Sequence, residues 1–241
     1  MALEEARSIA AAAGLNVQAV LSTARLAQTL PKTAPLVGSW PSLLLLGSTG
    51  DAMWTAMHAG PLDPEHPIDR FVDAALARIR AAIDAPTRLL WPDPTASQPF
   101  PVSLAGRAAG WGQRSRMGLT IHPVHGLWVA SRGAILIDAA LDEDVTPPTP
   151  SPCSDCDLCV SACPVGATGG PKGIDIQTCF TERLREGGCA TSCAARLACP
   201  VGIDSRYPAA QIEHHQRFTN RAFGPRVLAE RRQGPKAWSP E

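Results

Sequence analysis

The chain has 241 residues, 45% of them apolar, and its 22 basic side chains balance 22 acidic ones. That length and apolar content supply one large core or two small ones and exclude disorder of the whole chain. A net charge of zero provides no overall field to gather nucleic acid or anionic membrane, so extended nucleic-acid binding is not expected.

The opening MALEEARSIAAAAGL puts Glu4 and Glu5 where a secretory signal carries Lys or Arg. The spacing of Ala and Leu predicts one amphipathic helix from residue 2 to about 28, stopped by Pro31, Pro35 and Gly38. No apolar run approaches the roughly 18–20 residues that span a bilayer, so a soluble, cytoplasmic protein without a membrane partner is expected. Leu43 to Leu46 is a continuous apolar run between Ser42 and the turn-forming Gly47, Ser48, Thr49 and Gly50, which predicts a buried strand with a helix following from Asp51. From Pro67 to Asp84 the apolar residues Ile68, Phe71, Val72, Ala75, Leu76, Ile79 and Ile83 share one helical face.

Thr87 to Trp91 predicts a second strand, residues 92–101 a proline-rich connection, and Val102 to about Arg114 a helix. Leu119–Ile121 and Leu127–Ile137 predict two strands turned at Pro123–Gly126. Alternation of strands and helices implies an α/β or α+β layered domain over residues 1–145. Asp138 to Pro152, acidic and then proline-rich, marks a linker. Residues 150–205 form a cysteine domain and residues 206–241 a helical, arginine-rich tail whose basic face is expected in solvent.

All eight cysteines lie between 153 and 199. Cys153, Cys156, Cys159 and Cys163 have the spacing C-x2-C-x2-C-x3-C-P of bacterial ferredoxins, in which the fourth cysteine ligates the other of two clusters. A compact loop with cysteines three apart can wrap three thiolates around corners of one cube while its N–H groups offset the negative charge. The second series, Cys179, Cys189, Cys193 and Cys199, is less regular. Cys-Pro-Val-Gly occurs twice, at Cys163–Gly166 and Cys199–Gly202, which makes Cys199 the counterpart of Cys163. The expected arrangement is crossed: Cys153, Cys156, Cys159 and Cys199 on one [4Fe-4S] cluster, and Cys163, Cys179, Cys189 and Cys193 on the other. Four disulfides, or one cluster beside a zinc ion or redox thiols, are the competing readings.

IHPVHGLWVASRG, Ile121 to Gly133, resembles the H-P-x-x-G-x-W-x-A-x-R-G signature of the cobalamin-processing CblC family, and the likeness extends over roughly residues 38–138. The resemblance implies a nitroreductase-like α/β/α sandwich that binds cobalamin, or FMN as in related folds. The order of parts also resembles epoxyqueuosine reductase and the reductive dehalogenases, in which such a domain precedes two [4Fe-4S] clusters that serve cobalt. It implies an iron–sulfur oxidoreductase that reduces a corrinoid, with His122 at the corrinoid face, Arg132 anchoring a carboxamide or phosphate, and Trp128 nearby. The residues alone equally allow His122 as a structural turn residue, Arg132 as an ion-pair partner and Trp128 as core. Ser48 and Thr49 are a weak phosphate-binding signal at a helix start. One departure stands out: Pro99 to Gly118 contains no Asp or Glu, where epoxyqueuosine reductases carry a carboxylic general acid. The alternative function is a non-enzymatic electron carrier or docking protein. Either needs an electron donor or acceptor protein, and no catalytic residue is assigned.

Overall fold

The structure is a computed structural model that describes residues 2–92, 98–147, 149–171 and 173–232. The first part contains α1 (Ala2–Ala12), β1 (Val17–Ser22), α2 (Thr23–Thr29), α3 (Ala34–Val37), β2 (Ser42–Thr49), α4 (Ala52–His58), α5 (Pro67–Ala81) and β3 (Thr87–Trp91). It continues with α6 (Val102–Ala108), β4 (Gln113–Arg114), β5 (Thr120–Ile121) and β6 (Val129–Ile137). The cysteine region holds α7 (Leu158–Ser161), β7 (Thr168–Gly170), β8 (Gly173–Ile174), α8 (Ile176–Leu184) and α9 (Ala194–Leu197), and α10 (Ala209–Arg232) ends the described chain.

Strands β1, β2, β6 and β3 form one antiparallel sheet in that order. Its second strand explains the run of leucines. Leu44 and Leu46 face α1 and α5, packing with Ala6, Ala10, Leu76 and Ile79, whereas Leu43 and Leu45 face Leu26, Phe100, Ala105 and Trp111. A strand covered on both faces must be apolar at every position, not at alternate ones. The result is a mixed α+β fold with helices on both faces of the sheet, and truncating one of these leucines to Ala should cost about 2–5 kcal/mol.

The single helix expected over residues 2–28 is instead α1, β1 and α2. Gly14 stops α1 in a left-handed conformation (φ 71°), and a Cβ there would lie 2.2 Å from Met53 N. Asn16 then donates to Thr49 O and accepts from Thr49 N, which starts β1 alongside β2. Helical periodicity misled here because the alternation of Val17, Ala19 and Leu21 is short. Likewise the helix expected to reach Arg114 ends at Ala108, since Gly110 (φ 85°) and Gly112 (φ 121°) break it. Between them Trp111 is buried against Gly47 and Gly106, two positions where a side chain would collide with its ring.

The expected linker is bound to the sheet. Asp144 accepts from Val20 N and pairs with Arg7, Glu143 accepts from Ser22 N at 2.7 Å, and Thr146 N donates to Ala109 O at 3.1 Å. The acidic composition therefore serves the open N–H groups of edge strand β1. Part of the expected proline-rich connection, residues 93–97, lies outside the described residues, as does the tail beyond 232. Where described, the arginines Arg217, Arg221 and Arg226 are exposed, as expected, but α10 also packs along α8, and its His214 and Phe218 reach the rings of Trp54 and His66 at 5.3 and 6.4 Å. It bridges the cysteine region and the sheet-bearing part. Among the described residues no helix is long and apolar enough to cross a membrane.

Candidate functional site

Short elements place the cysteines. Cys159 lies in α7; Cys179 lies in α8, whose start is capped by Asp175 accepting from Thr178 N at 3.1 Å. Cys193 precedes α9 and Cys199 follows it, so four residues of helix and Ala198 separate these two thiols. All eight thiols are free.

Their electrostatic neighbours sort them into two groups. Burial, and then Cys153, Cys156 and Cys199, push the Cys159 thiol up; burial, and then Cys153 and Cys156, push Cys199 up. Burial drives Cys179 up to about 11, with Arg183 opposing and Cys193, Cys163 and Cys189 adding. Cys189 rises through burial, Cys193, Glu182 and Cys163. In these four shifts no thiol of the set Cys153, Cys156, Cys159, Cys199 acts on the set Cys163, Cys179, Cys189, Cys193. Among the described residues no three His, Cys, Asp or Glu side chains converge as ligands of a single ion.

The second set lines a cavity of about 360 Å³. Trp128, Arg183, Arg196 and His215 share its wall, and each has a buried nitrogen without a hydrogen-bond partner: Trp128 Nε1, Arg183 Nε, Arg196 Nε and His215 Nε2. Those on Trp128, Arg183 and Arg196 are donors, and an unsatisfied buried donor costs about 1–3 kcal/mol, so these three suit an acceptor-rich group. One backbone donor is already engaged, Ala167 N–H on Cys163 Sγ at 3.3 Å. Cys199 is buried with Met117, Ile121, Leu127 and Ala195, and Cys153, Cys159, Cys163 and Cys193 pack against that cluster.

His122, Trp128 and Arg132 do not share a cavity. His122 sits in the turn closed by its pairing with Gly126, and its Nδ1 accepts from Val124 N and His125 N, both at 3.1 Å. Burial, and secondarily His125, holds its pKa down at about 4, so at neutral pH it is uncharged with the proton on Nε2. Trp128 is wholly buried, edge-on to Tyr207 at 5.3 Å. Arg132 donates from Nε to Ser48 Oγ at 3.0 Å. Leu127, Val129, Ala130 and Ser131, but neither Trp128 nor Arg132, line a different cavity of about 250 Å³ with Arg107, Trp111 and Arg196. Ser48 and Thr49 are buried at the end of β2, where Arg132 donates to Ser48 Oγ and Asn16 bonds the Thr49 backbone, while Thr49 Oγ1 has no partner.

Reading the sequence missed Arg183, Arg196, Tyr207 and His215. Arg196 had a visible signal, since it is the one charge inside the five-residue spacer between Cys193 and Cys199. His215 had none, because its burial follows from how α10 lies across the two parts.

No family model and no curated protein matches the chain. Solved structures do. Epoxyqueuosine reductase in complex with a tRNA-Tyr stem loop superposes with a TM-score of 0.54 at 14% identity, covering 87% of this chain and 68% of that one. A reductive dehalogenase of B12-dependent dehalogenation gives 0.52 at 12% identity, over 95% of this chain and 36% of that one. CblC, a B12-trafficking protein of C. elegans, gives 0.50 at 14% identity, over 99% and 98%. At such identities the likeness is one of fold: a mixed α+β chain related in architecture to epoxyqueuosine reductase and CblC.

Proposed function

We propose that residues 150–205 hold two [4Fe-4S] clusters, on Cys153, Cys156, Cys159 and Cys199 and on Cys163, Cys179, Cys189 and Cys193. The chain is then an iron–sulfur oxidoreductase whose first part, residues 1–145, takes a corrinoid. The observation that carries this reading is the division of eight free thiols into two groups of four, each drawing one member from across the other's series. The donor chemistry fits. Soft thiolates are the ligands iron–sulfur clusters take, and the unpartnered donors of Trp128, Arg183 and Arg196 around the larger cavity suit a group with sulfur acceptors.

When bound, such clusters supply one-electron transfer, and a corrinoid supplies redox chemistry at cobalt. The chain's own residues do the rest. Burial favours the protonated thiols, so loading must release protons and becomes easier as pH rises. Met117, Leu119 and Phe180 in the cavity wall keep water away, which governs potential. For the corrinoid, support comes from the fold and from His122, a neutral turn residue able to donate Nε2–H to a carboxamide. It does not fit as a metal ligand, because two N–H groups occupy Nδ1 and the proton occupies Nε2. Trp128 and Arg132 fit as the buried backing of that hairpin.

The test is anaerobic reconstitution with iron and sulfide, metal analysis, and titration with hydroxocobalamin and with FMN followed by visible spectroscopy. About eight irons per chain and a change in the cobalamin spectrum are expected. FMN binding instead replaces the corrinoid by a flavin, binding of neither leaves an electron carrier, and an iron-free product overturns the reading.

A further inference from the structure

Fixed charge is distributed unequally between the two groups of thiols. Arg183 and Arg196 share the wall of the 360 Å³ cavity with Cys163, Cys179, Cys189 and Cys193, and Arg183 acts on Cys179, Cys193 and Cys189. Its guanidinium lies 4.7 Å over the Phe180 ring and donates to Gln216 O at 3.0 Å. Arg196 acts on Cys193 from between two rings, 4.3 Å over Trp128 and 4.9 Å over Tyr207, and donates to Leu127 O at 2.7 Å. No carboxylate is among the charges acting on either arginine. Glu182, the acid that acts on Cys189, is itself held by Arg185 at 2.6 and 2.9 Å.

The other group is served less well. Arg116 reaches Cys153 O at 3.4 Å but is paired with Asp157 at 2.9 Å, so its charge is offset. Arg206 donates to Cys199 O at 3.5 Å, and the charges that act on Cys159 are all thiols.

We propose that Arg183 and Arg196 make the Cys163, Cys179, Cys189 and Cys193 cluster the higher in reduction potential, and so the electron-accepting end of the pair. This rests on the two-cluster reading above. Reduction of a cluster adds one negative charge, which a fixed cation and donors to its sulfurs stabilise. Ring stacking holds both guanidinium groups in place before the electron arrives, and a partly buried site screens them poorly. One electron leaves the cluster on Cys153, Cys156, Cys159 and Cys199 as one enters the other; a one-electron donor protein, or dithionite in the experiment, replaces it.

The test is an electron-paramagnetic-resonance redox titration of the reconstituted full chain with dithionite. Two potentials are expected in the unaltered protein. Arg183→Gln and Arg196→Gln should each lower the higher one by a tenfold loss of reducibility or more, about 59 mV for a one-electron couple, and leave the lower one in place. Arg183→Lys, which keeps the charge, should recover most of the shift, and Arg206→Gln should move only the lower potential. Iron content measured on every variant separates lost ligation from shifted potential. Iron-replete Arg183→Gln and Arg196→Gln proteins with both potentials unmoved, or with only the lower one moved, overturn the ordering while the two-cluster reading stands. Absence of iron from the unaltered chain overturns that reading first.

Discussion

Cys163-Pro164-Val165-Gly166 and Cys199-Pro200-Val201-Gly202 have the same sequence, and the glycine of each is left-handed, at φ 62° and 71°. Their surroundings differ completely. A Cβ on Gly166 would meet nothing within 4 Å, and Val165 is 38% exposed. A Cβ on Gly202 would lie 2.2 Å from His125 C, and one on Gly126 would lie 1.9 Å from Val201 O. The second copy is thus pressed, backbone to backbone, into the His122–Gly126 turn, and His125 Nδ1 shares a 2.8 Å hydrogen bond with Ser205 Oγ beside it. Local sequence sets a left-handed glycine twice, but only one copy is pressed into the His122–Gly126 turn of the sheet-bearing part.

The most damaging way to probe that difference is at the cysteine of the second copy. Cys199→Ala removes a thiol that lies with Cys153, Cys156 and Cys159 although 40 or more residues separate it from them. It is expected to lose about four of about eight irons and the spectrum of one cluster; retention of the full complement would break the crossed arrangement. The glycines come next. Gly202→Ala adds a backbone collision to a left-handed strain and should cost about 3 kcal/mol or more, whereas Gly166→Ala should cost about 1 kcal/mol from strain alone. Equal losses in chemical denaturation would show that the two copies are equivalent after all. Of the same size as the Gly166→Ala loss is that of Ser205→Ala, which removes the hydrogen bond to His125 and is expected to cost about 1 kcal/mol.

The same contrast governs what could be read in advance. Strands β2, β3 and β6, helix α5 and the eight-cysteine array were legible because each follows from a local pattern: a fully apolar run, a 3.6-residue face, a fixed spacing. What was not legible is whatever depends on a distant partner. Val17–Ser22 is a strand because Asn16 and β2 make it one, and the acidic segment before the cysteines is no free linker because β1 leaves N–H groups for Glu143 and Asp144 to bind. In the candidate site, the thiol spacings were visible, while Arg183 and His215 acquire a role only once α8 and α10 cross. Trp128 and Arg132 belonged to a recognisable signature, yet that pattern does not tell what each side chain packs against.

The weakest expected effect concerns the turn that receives the second copy. His122 holds the turn through Nδ1, and its folded pKa of about 4 lies below its ordinary value of 6.5 because burial, and then His125, disfavour the cation. Between those two values the unfolded chain binds more protons than the folded one, so stability is full above pH 6.5 and falls as pH drops toward 4. Since the ring is only half-buried, solvent screening reduces the effect, and about 0.5–1 kcal/mol should be lost between pH 7.5 and 5.5. Asn in its place offers a side-chain oxygen to the same N–H groups and does not titrate. Denaturation curves of His122→Asn at the two pH values should therefore lie closer together than those of the unaltered chain. An unchanged gap would mean that the acid sensitivity arises outside this turn, and that the hairpin meets the cysteine region through its glycines rather than through its histidine.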